Sequence, residues 1–195
     1  MDNTRKHGGP SPEPPKIHPV PPPVAPSVVP PDFDRLLTRI GYVNYAWTNT
    51  ESLLIHVLAG LLDARPHSAK GTATIIHLTL NTTRARIDLI ERLCKQADAP
   101  LPPEAIKRIL KLMSDMKRLS GIRNQLNHSL YAFDPELGIM RSIQMRIADR
   151  KAGLTYGREK DLGRDSVEEL DSVLDQIRGA NAALWSVISD YELPS

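Results

Sequence analysis

From Leu36 onward, apolar residues recur at alternating steps of three and four, the period of an amphipathic helix. Leu36, Ile40, Val43, Trp47, Thr50, Leu54, Val57 and Leu61 form one such stripe and predict a helix from about Asp34 to Asp63. A second stripe, Ala73, Ile76, Leu80, Thr83, Ile87, Ile90 and Cys94, predicts a helix from about Ala69 to Ala97. Pro100, Pro102 and Pro103 then interrupt the chain, and proline suits the first turn of a following helix. That third helix is predicted to reach about Leu130, with Ile109, Leu112, Met116, Leu119, Arg123, Leu126 and Leu130 on one stripe.

The period then changes. Asp134-Pro135 and Gly138 signal a turn. Ile139, Arg141, Ile143, Met145 and Ile147 alternate at period two, which reads as a strand, and residues 153–157 could return as its partner. Ser166 and Glu169 have the spacing of a capping box for a last helix along Val167, Leu170, Leu174, Ile177, Asn181, Leu184, Ile188 and Tyr191. Four long helices with short links predict an all-α, antiparallel four-helix bundle. A β-hairpin at about residues 138–158 would be inserted before the last helix. Thr50, Thr83 and Asn181 are polar positions inside otherwise apolar stripes, expected to satisfy helix backbone groups or one another.

The first 31 residues hold eleven of the 17 prolines and few large apolar groups. Residues 1–32 therefore read as a disordered, proline-rich tail and residues 33–195 as the folded domain. The tail is either a docking arm for a protein partner or a leader without a specific role. The single cysteine, Cys94, excludes a disulfide framework and a cysteine-based zinc site. No signal peptide is evident, and the longest apolar run, Leu53 to Leu62, is too short to span a bilayer. A cytoplasmic protein with no membrane partner is expected. The net charge of +2 does not announce a nucleic-acid binder, but its distribution is uneven. Residues 102–151 carry ten Lys/Arg against five Asp/Glu; residues 152–195 carry four against nine. The basic part could meet phosphate or the acidic segment.

Within that basic part lies Arg123-Asn124-Gln125-Leu126-Asn127-His128. Arg123 falls on an apolar stripe, and an unpaired buried guanidinium costs several kcal/mol, roughly. It must have an internal partner, for which Glu51 and Asp88 stand beside neighbouring stripes, or face a cleft or a subunit interface. At about 100° per residue, Asn127, Asn124 and His128 lie about 40°, 100° and 140° from Arg123, on one arc. Asn124 and His128 are i,i+4 neighbours that could hydrogen-bond. Arg84 and Asp88, with Glu51, are candidate supporting residues. An arginine can bind a phosphate in bidentate fashion and stabilise charge developing on it. A histidine, which ordinarily titrates near neutrality, can take the proton from a ribose 2′-hydroxyl. Such cleavage leaves a 2′,3′-cyclic phosphate and needs no metal; no His/Asp/Glu cluster has convincing metal-ligand spacing, and no cofactor is implied.

Arg123, Asn124 and His128, near the end of a long helix in a small bundle, resemble the motif of the HEPN superfamily. That motif is an arginine, commonly followed by a polar residue, and then a histidine after four to six intervening residues. The segment from Gly121 to Tyr131 resembles its motif helix. The resemblance implies a metal-independent endoribonuclease in which Arg123 and His128 are catalytic, with Asn124 and Asn127 supporting them. It also implies a homodimer whose two motif copies share one composite site. Many HEPN domains are instead non-catalytic modules that bind RNA, a nucleotide or a protein, and that alternative stays open. A plain helical scaffold that presents the proline tail to a partner is the third possibility. Tyr42 and Tyr45 could stack bases, whereas Trp47, at helical spacing, reads as core.

Overall fold

The structure is a computed structural model that describes residues 30–62, 66–145, 147–150 and 153–195. The tail up to residue 29 lies outside the described residues. The chain is mostly helical, with a small three-stranded antiparallel sheet before the last helix. The described helices are α1 (Pro31–Ser52), α2 (Leu54–Leu61), α3 (Pro66–Thr79), α4 (Thr83–Leu93), α5 (Pro103–Asn127) and α6 (Arg164–Asp190). Helix α1 packs chiefly on α6, α6 also on α5, α5 on α4, and α2 on α3 and α4. Trp47, Leu54, Ile87, Ile109, Met116, Ile177 and Leu184 are among the fully buried side chains between them.

Helix α1 begins at Pro31, before the expected Asp34. Proline needs no N–H partner in the first turn, and the Pro30 carbonyl accepts from the amides of Phe33 and Asp34, each at 3.0 Å. The first two expected helices are each divided. The first breaks at Leu53, after Thr48, Thr50 and Ser52 have turned their hydroxyls back onto the carbonyls of Asn44, Ala46 and Asn49. Such back-bonding competes with the helix ladder and bends it. The second breaks at Leu80–Thr82, where Thr82 adopts an extended conformation and its Oγ1 accepts from the amide of Ala85. This N-cap starts α4 as a new helix.

Helix α5 ends at Asn127, not near Leu130. Its open carbonyls are taken up by the next residues: the Ser129 hydroxyl donates to Gln125 O at 2.7 Å and the Tyr131 hydroxyl to Leu126 O at 2.9 Å. Ser129 therefore starts β1 (Ser129–Asp134), which pairs antiparallel with β2 (Ile139–Gln144). Tyr131, Phe133 and Met140 pack against the core. The turn is the expected one. Asp134 Oδ1 accepts from the amides of Glu136 and Leu137, and Gly138 adopts φ +66°, where glycine meets no Cβ penalty. The expected strand from Ile139 through Ile147 is divided. Strand β2 pairs on its other edge with β5 (Glu159–Leu162), while β3 (Ile147–Arg150) and β4 (Gly153–Tyr156) form a separate antiparallel pair. The expected single hairpin at 138–158 is thus replaced by a sheet that starts at Ser129.

Helix α6 starts at Arg164, and Ser166 is its third residue rather than its cap. The Gly163 amide donates to the Ser166 hydroxyl at 3.3 Å, and Glu169 pairs with Lys160 instead of closing the expected box. Of the polar stripe positions, Thr50 and Asn181 behave as expected, satisfying a helix carbonyl and each other, whereas Thr83 bonds outside that set. Thr50 donates to Ala46 O and accepts from Asn181 Nδ2 at 3.2 Å, and Thr83 donates to a neighbouring helix's carboxylate.

Candidate functional site

That carboxylate is Glu51, 7% exposed at the end of α1, where α1, α4 and α5 meet. Its Oε1 accepts from the Thr83 hydroxyl and from Arg86 Nη1 at 2.8 Å. Its Oε2 accepts from Trp47 Nε1 at 3.2 Å and lies 3.9 Å from Arg123 Nη2. Thr83 and Arg86 are i,i+3 neighbours on α4 and so reach the same carboxylate. Arg86 also donates through Nε to His77 O at 2.9 Å, which ties in α3. A buried carboxylate with several donors and two guanidiniums is compensated, where an isolated one would not be.

Arg123 closes this cluster from α5. Its guanidinium lies 5.7 Å from the centroid of the Trp47 ring and donates through Nη1 to Asn124 Oδ1 at 3.0 Å. Arg123 Nε is buried with no hydrogen-bond partner among the described residues. The side chain as a whole is 22% exposed, so it is neither sealed inside nor free in solvent. The expected partner Glu51 is thus beside it, at the long end of ion-pair distance, and the expected alternative Asp88 is not.

His128 is the C-cap of α5, with φ −101° and ψ 18°. Its amide donates to Asn124 O at 3.0 Å, and its carbonyl accepts from the Met145 amide at 2.8 Å, which pins the helix end to the sheet. The ring is on an exposed residue and takes no hydrogen bond among the described residues. Asn124 and Asn127 are also exposed. Asn124 does not meet His128 through its side chain; its amide oxygen goes to Arg123.

Arg84 and Asp88, the other two expected supporting residues, stand away from Arg123. Arg84 Nε lies 3.6 Å from Asp88 Oδ2, and Asp88 Oδ1 lies 2.8 Å from Lys117 Nζ, which also reaches Glu91 at 2.7 Å. The Lys117 hydrogen bond holds the Asp88 carboxyl below the ordinary carboxylate range. About the α4 axis, Arg86 lies about 60° from the buried Thr83 and Arg84 about 100° away on the other side, so Arg86, not Arg84, is turned toward Glu51. On α5, Lys117 is matched by two acids, and Arg108, paired with Asp190 at 2.7 Å, lines with Lys111 and Arg118 a groove of about 440 Å³ between α5 and α6.

Arg86 is the residue that sequence reasoning missed here. The Thr82 cap followed by Thr83 and Arg86 is the signal that could have found it. His77, next to an apolar face in the sequence, reads as a packed core histidine, as it is found. His77 is 7% exposed, and burial above all, with Arg86's charge behind it and Glu51 opposing, pushes its imidazole below 6.5. Burial likewise pushes the Cys94 thiol up to about 11, far from a reactive thiolate. Among the described residues, no three His, Cys, Asp or Glu side chains are grouped to hold a metal ion, and no helix is long and apolar enough to cross a membrane. No protein-family model, curated protein or solved structure matches this chain.

Proposed function

We propose that this chain is a cytoplasmic, metal-independent endoribonuclease of the HEPN type, acting as a homodimer on a four-helix bundle of α1, α4, α5 and α6. The observation that carries this reading is the pairing of Arg123 and His128 on one helix end. The partly exposed guanidinium is held by Trp47, Glu51 and Asn124, and the imidazole belongs to an exposed residue and takes no hydrogen bond among the described residues. His128 takes the proton from a ribose 2′-hydroxyl. The 2′-oxygen attacks the adjacent phosphorus, and the bond to the 5′-oxygen breaks. The products are a 2′,3′-cyclic phosphate and a 5′-hydroxyl, the latter protonated by water or by the second copy's histidine. Arg123 stabilises the charge that grows on the phosphoryl oxygens.

The test is cleavage of single-stranded RNA in EDTA by wild type and His128→Ala. The variant is expected to lose about 10²–10⁴-fold in rate, the range for removing a general base, with its fold intact by circular dichroism. Equal rates would end the catalytic role of His128. A second reading, a non-catalytic HEPN-like module that binds RNA, a nucleotide or a protein, is favoured by one feature. Arg123 is drawn toward Glu51 and Trp47, as a structural arginine would be. Under that reading wild type binds and does not cut.

A further inference from the structure

Helix α1 carries Trp47 and Glu51 on the face turned to α4 and α5. Toward α6 it carries Tyr42, Tyr45, Ala46 and Asn49, in which Tyr42 and Ala46, and Tyr45 and Asn49, are i,i+4 neighbours. These residues, with Thr50, Leu174, Arg178 and Asn181, line an open groove of about 310 Å³. Tyr42 is 51% exposed and Tyr45 71%. Two large aromatic rings left in solvent on one helix face contribute little to the core.

The groove's polar groups are arranged rather than scattered. Thr50 is 1% exposed and fixes the amide of Asn181 through the bond to its Nδ2. Asn181 is half-buried, and its carbonyl oxygen and second N–H take no partner among the described residues. A pre-oriented amide offers one acceptor and one donor side by side, which matches the edge of a nucleobase. Asn49 adds a second exposed amide, and Arg178 adds a guanidinium that its ion pair with Asp175, at 3.3 Å, leaves largely in solvent.

We infer that the α1–α6 groove is a base-binding subsite for single-stranded RNA. A base stacks on Tyr45 or Tyr42, its edge meets the Asn181 amide, and the adjoining phosphate meets Arg178. This rests on the RNA-directed reading above and adds to it a place that positions substrate away from the reacting bond. Aromatic stacking accepts any base, so the subsite gives affinity with little sequence preference.

The test measures binding separately from cleavage. The probe is a fluorescein-labelled 2′-O-methyl oligonucleotide, which lacks the attacking hydroxyl and cannot be cut by this chemistry. It is titrated into the full chain and followed by fluorescence anisotropy. Tyr45→Ala is expected to weaken binding about 5- to 100-fold, the range for losing one stacked base. Tyr45→Phe, which keeps the ring, should stay close to wild type, and Arg178→Gln should flatten the salt dependence. Equal binding by wild type and Tyr45→Ala, or no binding by wild type, overturns the subsite. So does a wild type that ignores the strand but self-associates through this face and loses that association in Tyr45→Ala. Cleavage without a Tyr45 effect removes the subsite and spares the enzyme; a Tyr45 effect on binding with no cleavage does the reverse.

Discussion

The cluster around Glu51 and the helix end at His128 use the same kinds of residue in opposite ways. Around Glu51, carboxylate, hydroxyl, indole and guanidinium are matched to one another across three helices, and the site is nearly closed to water. At His128 the backbone is fully engaged, through Asn124 O and the Met145 amide, while the side chains face solvent. Arg123 joins the two regions, with its guanidinium beside Glu51 and its Nη1 bonded to Asn124. A matched, desolvated cluster makes a rigid support, whereas a fixed backbone with a free ring is what proton transfer to a bound substrate requires.

The widest separation of the two regions is expected from stability. Glu51→Ala leaves Arg86 and Arg123 without their carboxylate and strands Thr83 and Trp47 Nε1, for an expected loss of about 3–5 kcal/mol. His128→Ala should leave the urea midpoint at the wild-type value. Should the two variants unfold alike, the cluster would not be the support described here.

A smaller effect is expected with pH, again on one side only. The folded His77 imidazole is held below 6.5, so the unfolded chain takes up the proton first. Its contribution is therefore present above about pH 6.5 and is lost as pH falls through that value toward the lowered folded one. Urea midpoints should decline over that window in wild type and decline less in His77→Gln. An unchanged slope in the variant would assign the loss to other groups.

The smallest effect sharpens the role of Arg123. Asn124→Ala removes one exposed hydrogen bond and should cost less than about 1 kcal/mol of stability. If Asn124 positions the guanidinium for phosphate, RNA cleavage should fall by more than that loss of stability explains. Unaltered cleavage would restrict Asn124 to the surface.

The apolar stripes made most of the helical segments legible, since a run of three-and-four spacings requires a buried face whatever its neighbours are. The turn at Asp134–Gly138 was equally legible, because a carboxylate that caps amides and a glycine at positive φ are local chemistry. The end of α5 was not. Leu130 fits the helical stripe, and only the bonds from Ser129 and Tyr131 and the pairing with β2 place it in a strand. In the candidate site, Arg123 beside Glu51 could be anticipated as one of two pairings. Arg86 was not anticipated, although its place three residues after Thr83, beside the second stripe, was a signal for it.

The sequence by itself determined which faces of the helices are apolar, where proline stops them, and that Arg123 and His128 share one helix end. Those are properties of spacing along a single segment. Only the tertiary structure decided that Arg86 rather than Arg84 meets Glu51, that Asp88 serves Lys117, and that Asn124 turns to Arg123 rather than His128. Periodicity sets the angle of a residue about its own helix axis. It does not set how one helix docks against the next, and that docking is what brings a given pair of side chains within reach.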